Sequence, residues 1–277
     1  MGTDARRLWG SVGLSLGERS RRLGRIYKGV YVQSIEGQTA LVTGGARRIG
    51  RAIALALAEA GVDVAIHYHE SHKAADATAA DVRQRGVNAV TISADLTDPW
   101  VAEVMFDKAV EAIGPIDILV NNASTFLRSE LLSCREEELQ DAIRLHALSP
   151  LMLARRMAAA GHPGSVINLL DTRVARPDPA YAAYSISKRM LHDLTAMLAL
   201  ELAPAIRVNG VAPGPILPPE GADAALMEAR AQALPLQRWG DPDDVAAAVL
   251  FLLRSSFITG QTVYVDGGSH LKGDPYA

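Results

Sequence analysis

Short, almost continuously apolar runs alternate with longer amphipathic stretches from Gln38 onward, and this alternation restricts the chain more than any single motif does. The runs fall at 39–43, 62–67, 89–93, 116–121, 165–170, 206–211 and 262–265. Between them lie helical patterns at 49–60, 74–85, 101–113, 135–160, 181–202 and 242–253. Strands with one wet face alternate apolar and polar residues, whereas continuous apolar runs mark strands covered on both faces of a parallel sheet. Strand and helix in turn imply βαβ crossovers, hence a doubly wound α/β sheet of about seven strands with helices on both faces. No repeat or internal boundary interrupts it, so residues 38–277 are expected to form one domain behind a leader at 1–37. The irregular stretch is 213–240, which holds Pro213, Pro215, Pro218, Pro219 and Pro235 and a short helical pattern at 223–234. An insertion after a strand's carboxyl end is either a substrate lid or a plain connection.

Composition excludes several function classes. The 277 residues are 49% hydrophobic and 21% charged, an ordinary globular balance. Cys134 is the single cysteine, so no internal disulfide framework exists and a reducing compartment, the cytoplasm, is expected. No apolar stretch reaches the ~20 residues that span a bilayer, so no membrane partner is expected. Residues 1–35 carry a net charge of +5 and the remainder −8. An acidic body argues against nucleic acid as a partner. The basic leader lacks the apolar core of a secretory signal and reads as a flexible extension or an upstream translation start.

Thr43-Gly44-Gly45-Ala46-Arg47-Arg48-Ile49-Gly50 ends the first run and opens the first helix. Glycines there let backbone approach a pyrophosphate, and the helix N-terminus offers free N–H groups and positive potential. Its place at the head of a βαβ unit makes the pattern specific. Gly44, Arg47, Arg48, Ile49 and Gly50 are therefore candidate dinucleotide contacts. A carboxylate ending the second strand would select NAD through the ribose, yet that strand ends in His67-Tyr68-His69 before Glu70. Arg47 with His69, Ser71 and Lys73 offers a place for a 2′-phosphate and favours NADPH, while Glu70 would repel that phosphate. Asp95-Leu96 and Asn121-Asn122-Ala123 continue the series at the next two strand ends.

Tyr184 and Lys188 lie one helical turn apart, and Asp171 stands thirteen residues before Tyr184 at the end of an apolar run. A phenol of pKa near roughly 10 is a poor acid at neutral pH. A neighbouring ammonium favours the tyrosinate and makes the hydroxyl a usable proton donor or acceptor. Asp171 admits two readings: it caps a turn before Thr172, or it takes part in proton transfer. An ionised carboxylate cannot donate to an oxyanion growing on a carbonyl. An aspartic acid relaying through Tyr184 can, however, deliver a proton to a ring nitrogen, and a carboxylate can accept from an amino-pyrimidinone edge.

With these motifs in order, the chain resembles the short-chain dehydrogenase/reductase family over about 38–268. The resemblance rests on the glycine loop, Asp95-Leu96, Asn121-Asn122-Ala123, Tyr184/Lys188, Arg207-Val208-Asn209 leading to Pro213-Gly214, Ile258-Thr259-Gly260 and Val265-Asp266-Gly267-Gly268. It implies a Rossmann-type sheet and hydride transfer with a nicotinamide cofactor, with Tyr184 as the acid and Lys188 on the nicotinamide ribose. Three positions depart from the family's general pattern: Arg48 replaces a glycine, Asp171 a serine and His146 an asparagine. Arg48, His67-Tyr68-His69, Asp171 and the run Asn121 to Phe126 are similar to pteridine reductases and dihydromonapterin reductases. That branch implies Phe126 stacking on a pterin, with Ser124 and Arg48 touching cofactor or substrate. The family also implies a homotetramer built on the 135–160 and 181–202 helices.

The expected activity is NADPH-dependent reduction of dihydropterin- or dihydrofolate-type substrates, with protonation through Tyr184 and Asp171. Two rivals stand beside it: a carbonyl or 3-oxoacyl thioester reductase, and a catalytically quiet NADP-binding sensor or scaffold. His146 reads equally as a functional or a packed histidine. Cys134 lacks a histidine–acid constellation, and His67, His69 and His72 lack further ligands, so neither a thiol nucleophile nor a metal is expected.

Overall fold

Each apolar run forms a strand whose successive side chains serve two different cores. In β1 (Thr39–Val42), Ala40 and Val42 pack on one face and Leu41 on the other. Side chains alternate along a strand, so apolar cover in both directions leaves no polar period in the run. The computed structural model describes residues 26–27, 30–31, 33–176, 178–217 and 223–272. Within them β2 (Asp63–Tyr68), β3 (Ala89–Ser93), β4 (Ile118–Asn121), β5 (Gly164–Leu169), β6 (Ile206–Pro213) and β7 (Thr262–Val265) join β1 in one parallel sheet. Its order is β3-β2-β1-β4-β5-β6-β7, the doubly wound arrangement. The order reverses between β1 and β4, and the crevice at the carboxyl ends there is where such sheets bind ligands.

Eight helices are described: α1 (Arg48–Glu59), α2 (His72–Arg83), α3 (Pro99–Ile113), α4 (Glu136–Ile143), α5 (Ser149–Ala159), α6 (Ala182–Glu201), α7 (Ala224–Ala233) and α8 (Pro242–Arg254). Ile53 and Leu57 of α1, Val82 of α2 and Leu252 of α8 fill the core on one face. Phe106 of α3, Leu153 and Met157 of α5 and Leu198 of α6 fill the other. No helix among the described residues is long and apolar enough to cross a membrane.

The stretch expected as one helix over 135–160 is instead interrupted. A π-helical turn, Arg144–Leu148, separates α4 from α5. Pro150 explains it: proline has no N–H for the carbonyl four residues back, which is that of His146, and its ring crowds that carbonyl. The backbone widens there, as π-turns at functional sites often do. The basic leader falls mostly outside the described residues. Ile26–Tyr27 and Val30–Tyr31 pair as short antiparallel strands. The leader's last residues belong to the body, since Ile35 is 3% exposed in the first core and the Gln33 N–H donates to the Arg254 carbonyl at 3.0 Å.

The glycine loop is tightly constrained. A Cβ on Gly50 would lie 2.2 Å from the Gly44 carbonyl oxygen and 2.5 Å from Asn122 Nδ2. Arg48 opens α1 at φ +52°, the left-handed region that costs a side-chain-bearing residue about 1–2 kcal/mol. It keeps a glycine's conformation while presenting a guanidinium. Urea unfolding should accordingly show Arg48→Gly stabilised by about 1 kcal/mol, and Gly50→Ala destabilised by about 1–3 kcal/mol through overpacking.

Candidate active site

Tyr184 is positioned because α6 begins against the loop that follows β4. The Ala182 N–H donates to the Ser129 carbonyl at 2.8 Å and the Ala183 N–H to Ser129 Oγ at 3.1 Å, which supplies the acceptors that a helix start lacks. One turn inside, the Tyr184 hydroxyl donates to Asp171 Oδ2 at 2.9 Å. Asp171 follows β5, and its Oδ1 accepts the Arg173 N–H at 2.8 Å. One Asp171 oxygen therefore caps the turn and the other engages the phenol. Lys188 is fully buried and donates from Nζ to the Leu169 carbonyl at 2.7 Å, with Nζ 5.8 Å from the Tyr184 ring centre. Burial lowers its pKa from 10.5 to about 8, and the Asp171 charge opposes that shift.

A buried arginine that the sequence did not single out organises this corner. Arg173 is 7% exposed; its Nε donates to Asp178 Oδ2 at 2.9 Å, and its Nη1 lies 3.5 Å from Asp171 Oδ1. Its guanidinium carbon also sits 4.8 Å from the Phe126 ring centre and 5.0 Å from that of Tyr181. Phe126 stacks on Tyr181 at 4.3 Å and meets Tyr184 edge-on at 4.8 Å. One face of Phe126 is thus covered, and the residue remains 48% exposed toward the cleft. Behind the turn, Asp266 accepts from Thr172 Oγ1 at 2.8 Å, from Ser269 Oγ at 3.0 Å and from the Gly268 and His270 N–H groups at 2.9 and 2.8 Å. The C-terminal turn thereby anchors the residue next to Asp171.

His146 takes a defined place in the π-turn. It is 1% exposed, and its Nε2 accepts the Thr125 N–H at 3.3 Å. An amide can only donate, so Nε2 is the unprotonated nitrogen and Nδ1–H donates to Ser187 Oγ at 2.8 Å. Ser124 Oγ lies 3.0 Å from the same Nε2. Burial, aided by the Lys188 charge, holds the ring well below the usual pKa of 6.5, hence neutral. It braces the 124–125 loop against α6 and packs edge-on to Tyr184 at 5.4 Å.

Arg48, Ser124, Phe126, Asp171, Tyr184 and Lys188 line one cleft of about 780 Å³, whose wall includes Ile49, Pro213 and Gly214. Pro215, Ile216, Leu217, Arg230 and Trp239 bring the 213–240 segment against it. The other expected residues lie around it rather than in it. His67 is buried behind the glycine loop, accepting the Gly44 N–H at Nδ1 (3.1 Å) and donating from Nε2 to the Ala94 carbonyl (3.1 Å). Burial lowers its pKa to about 4, so it braces the loop as a neutral ring. Tyr68 pairs through its hydroxyl with His72 Nδ1 at 2.9 Å. Arg47 hydrogen-bonds Ser71, and His69 Nε2 lies 4.0 Å from Asp95 Oδ2. Asp95 accepts from Thr97 N–H and Oγ1 at 2.9 and 2.8 Å, which holds its carboxyl below the usual range. Leu96 is buried, and Asn121 donates to Asn168 Oδ1 at 2.8 Å inside the sheet. The neighbouring Asn122 instead ties β4 to the loop, donating to the Thr43 and Gly44 carbonyls at 2.9 and 3.1 Å. The Ala123 N–H donates to Thr43 Oγ1 at 3.0 Å.

Residues 44–270 match a family model described as enoyl-(acyl carrier protein) reductase, of the short-chain dehydrogenase type. An uncharacterised oxidoreductase of Mycobacterium tuberculosis is 40% identical over 245 residues, covering 84% of this chain and 92% of that protein. A 3-oxoacyl-(acyl carrier protein) reductase of Staphylococcus aureus is 36% identical over 249 residues, covering 84% and 98%. The crystal structure of FolM alternative dihydrofolate reductase 1 from Brucella canis, complexed with NADP, superposes with a TM-score of 0.82 at 37% identity, covering 87% of this chain and 97% of that one. Matched over most of its length by that family model and by relatives of this identity, the chain belongs to the short-chain dehydrogenase/reductase family of oxidoreductases.

Proposed function

We propose that the chain is an NADPH-dependent reductase of pteridines, acting on a ring C=N of dihydropterin- or dihydrofolate-type substrates. The observation that carries this reading is Asp171 accepting the Tyr184 hydroxyl where the family's general pattern has a serine donor. Asp171 also lies against the Arg173 N–H and guanidinium, a setting suited to accepting hydrogen bonds rather than giving one to an oxyanion. The likeness to the Brucella canis dihydrofolate reductase supports it.

The loop suits a dinucleotide. The N-terminus of α1 has no side-chain cap and no acid in its first turn, which leaves its N–H groups and positive potential for a pyrophosphate. Gly50 keeps the approach clear of side-chain bulk. Arg47, His69 and Ser71 would take the 2′-phosphate and Lys188 the nicotinamide ribose. When bound, the nicotinamide supplies the hydride. Tyr184 then gives its proton to the adjacent ring nitrogen, and the Lys188 ammonium stabilises the tyrosinate left behind. The 2.9 Å contact lets the Asp171 carboxylate orient the phenol and relay to it a replacement proton taken up from solvent. Phe126 offers its open side to the pterin ring, and Ser124, held by His146, offers a hydroxyl beside it. The 213–240 segment serves as the lid. Ile186, Met190, Met197 and Leu200 leave an apolar face exposed on α6 for a second copy, in keeping with a homotetramer.

A second reading, reduction of a 3-oxoacyl thioester, draws support from the Staphylococcus aureus relative. Following cofactor oxidation with dihydrobiopterin, dihydrofolate and an acetoacetyl thioester, each with NADPH and with NADH, separates the two. We expect turnover of the dihydropteridines with NADPH preferred; turnover of the thioester alone contradicts the proposal. In a pH series, kcat/KM for NADPH reports the free enzyme. It should fall as pH rises through about 8, where Lys188 loses its charge. A profile flat to pH 10 would contradict that role.

A further inference from the structure

The charge inside the cleft is strongly uneven. Its two lining carboxylates, Asp171 and Asp178, are both engaged by the buried Arg173. Beyond them the wall carries Arg48 from the glycine loop, Arg128 from the loop after β4, Arg176 from the turn after Asp171, and Arg230 from α7. No further carboxylate joins them in the lining among the described residues. Arg128 meets only the exposed Glu130, at 2.9 Å, and Arg230 has no ion-pair partner among the described residues.

This excess does not reflect the bulk of the protein, because residues 36–277 carry a net charge of −8. Cations gathered from separate segments into one concave wall focus a positive field there, raising the local concentration of anions and their rate of capture. Arg48 stands at the cofactor end, beside the loop assigned to the pyrophosphate. Arg128 follows Phe126 by two residues and Arg230 lies on the lid, so both belong to the substrate end. Neither a pterin ring nor a nicotinamide needs that charge. An anionic group on the substrate does, and guanidinium forks match carboxylate and phosphate oxygens in pairs.

We propose that the cleft selects pteridines that carry an anionic tail, with Arg128 and Arg230 as specificity-determining residues that grip the tail's carboxylate or phosphate oxygens. This rests on the pteridine reading above. The ring chemistry takes place at Tyr184 and Asp171, while the tail contacts set the preference among substrates sharing that ring.

The test compares kcat/KM for dihydrofolate (carboxylate tail), dihydroneopterin phosphate (phosphate tail) and dihydrobiopterin (uncharged tail), in the wild type and in Arg128→Gln, Arg230→Gln and the double variant. Both arginines lie at the surface of the cleft, and melting curves check that each variant folds. The expected result is a preference for at least one tailed substrate over dihydrobiopterin. That selectivity ratio should fall about tenfold or more in the double variant, return only in part with Arg128→Lys/Arg230→Lys, which keep the charge without the fork, and weaken as salt screens the field. The carboxylate and phosphate arms show which anion is preferred. Equal kcat/KM for all three substrates, or a ratio unmoved by the double variant, overturns the inference while leaving the pteridine reading standing. No turnover of any pteridine overturns both.

Discussion

Lys188 keeps an ammonium out of water at the centre of the molecule, and much of the surrounding architecture accommodates it. Its folded pKa of about 8 against an ordinary 10.5 means that carrying the charge inside the fold costs roughly 3 kcal/mol at neutral pH. The folded protein binds fewer protons than the unfolded chain between those two values, so this cost is relieved as pH rises through about 8 to 10.5. That cost is what remains after the charge of Asp171 has opposed the burial, and the Leu169 carbonyl at the end of β5 accepts from Nζ. The same ammonium adds to the burial that keeps His146 neutral. A costly buried charge that tunes its neighbours is a recurring mark of a catalytic site.

From that centre the specificity is built outward by one turn. Residues 171–174 are pinned below by Asp266 through Thr172, and at the side by Arg173 through Asp178. Asp171 consequently presents a fixed acceptor to the phenol, with its other oxygen held by backbone. The aromatic group Phe126, Tyr181 and Tyr184 closes one side, with Arg173 against the first two rings. In this chain Asp171 therefore does not stand alone, because a buried arginine and a second aspartate hold it in place.

The strand positions, the strand ends and the glycine loop were legible in the sequence because each leaves a local trace. Two-sided burial removes the polar period from β1 and its neighbours, and the Gly50 cradle demands a residue without Cβ. The Tyr184, Lys188 and Asp171 constellation was legible through spacing. Arg173 was not, since no local pattern says that an arginine will be buried between acids two residues before and five after it. His67 was expected at the cofactor and lies behind the loop, because a strand's apolar run does not reveal which hydrogen bonds its histidine will make. The π-turn had a visible cause in Pro150, yet the direction in which it aims His146 depends on Ser124 and Ser187, residues remote in sequence. The closure of the loop after β4 onto the start of α6 joins residues 54 apart, which periodicity cannot report.

The central claim is that Asp171 makes this site a ring-nitrogen rather than a carbonyl reductase. Replacing it by the serine of the general family pattern tests that claim most directly, with melting temperature and NADPH binding followed to confirm that the site survives. The account predicts that Asp171→Ser lowers kcat with dihydropteridines by about 10²-fold or more, the scale of a lost general acid–base partner, while NADPH still binds. Dihydropteridine turnover within a few-fold of wild type in a folded, NADPH-binding Asp171→Ser variant would contradict it.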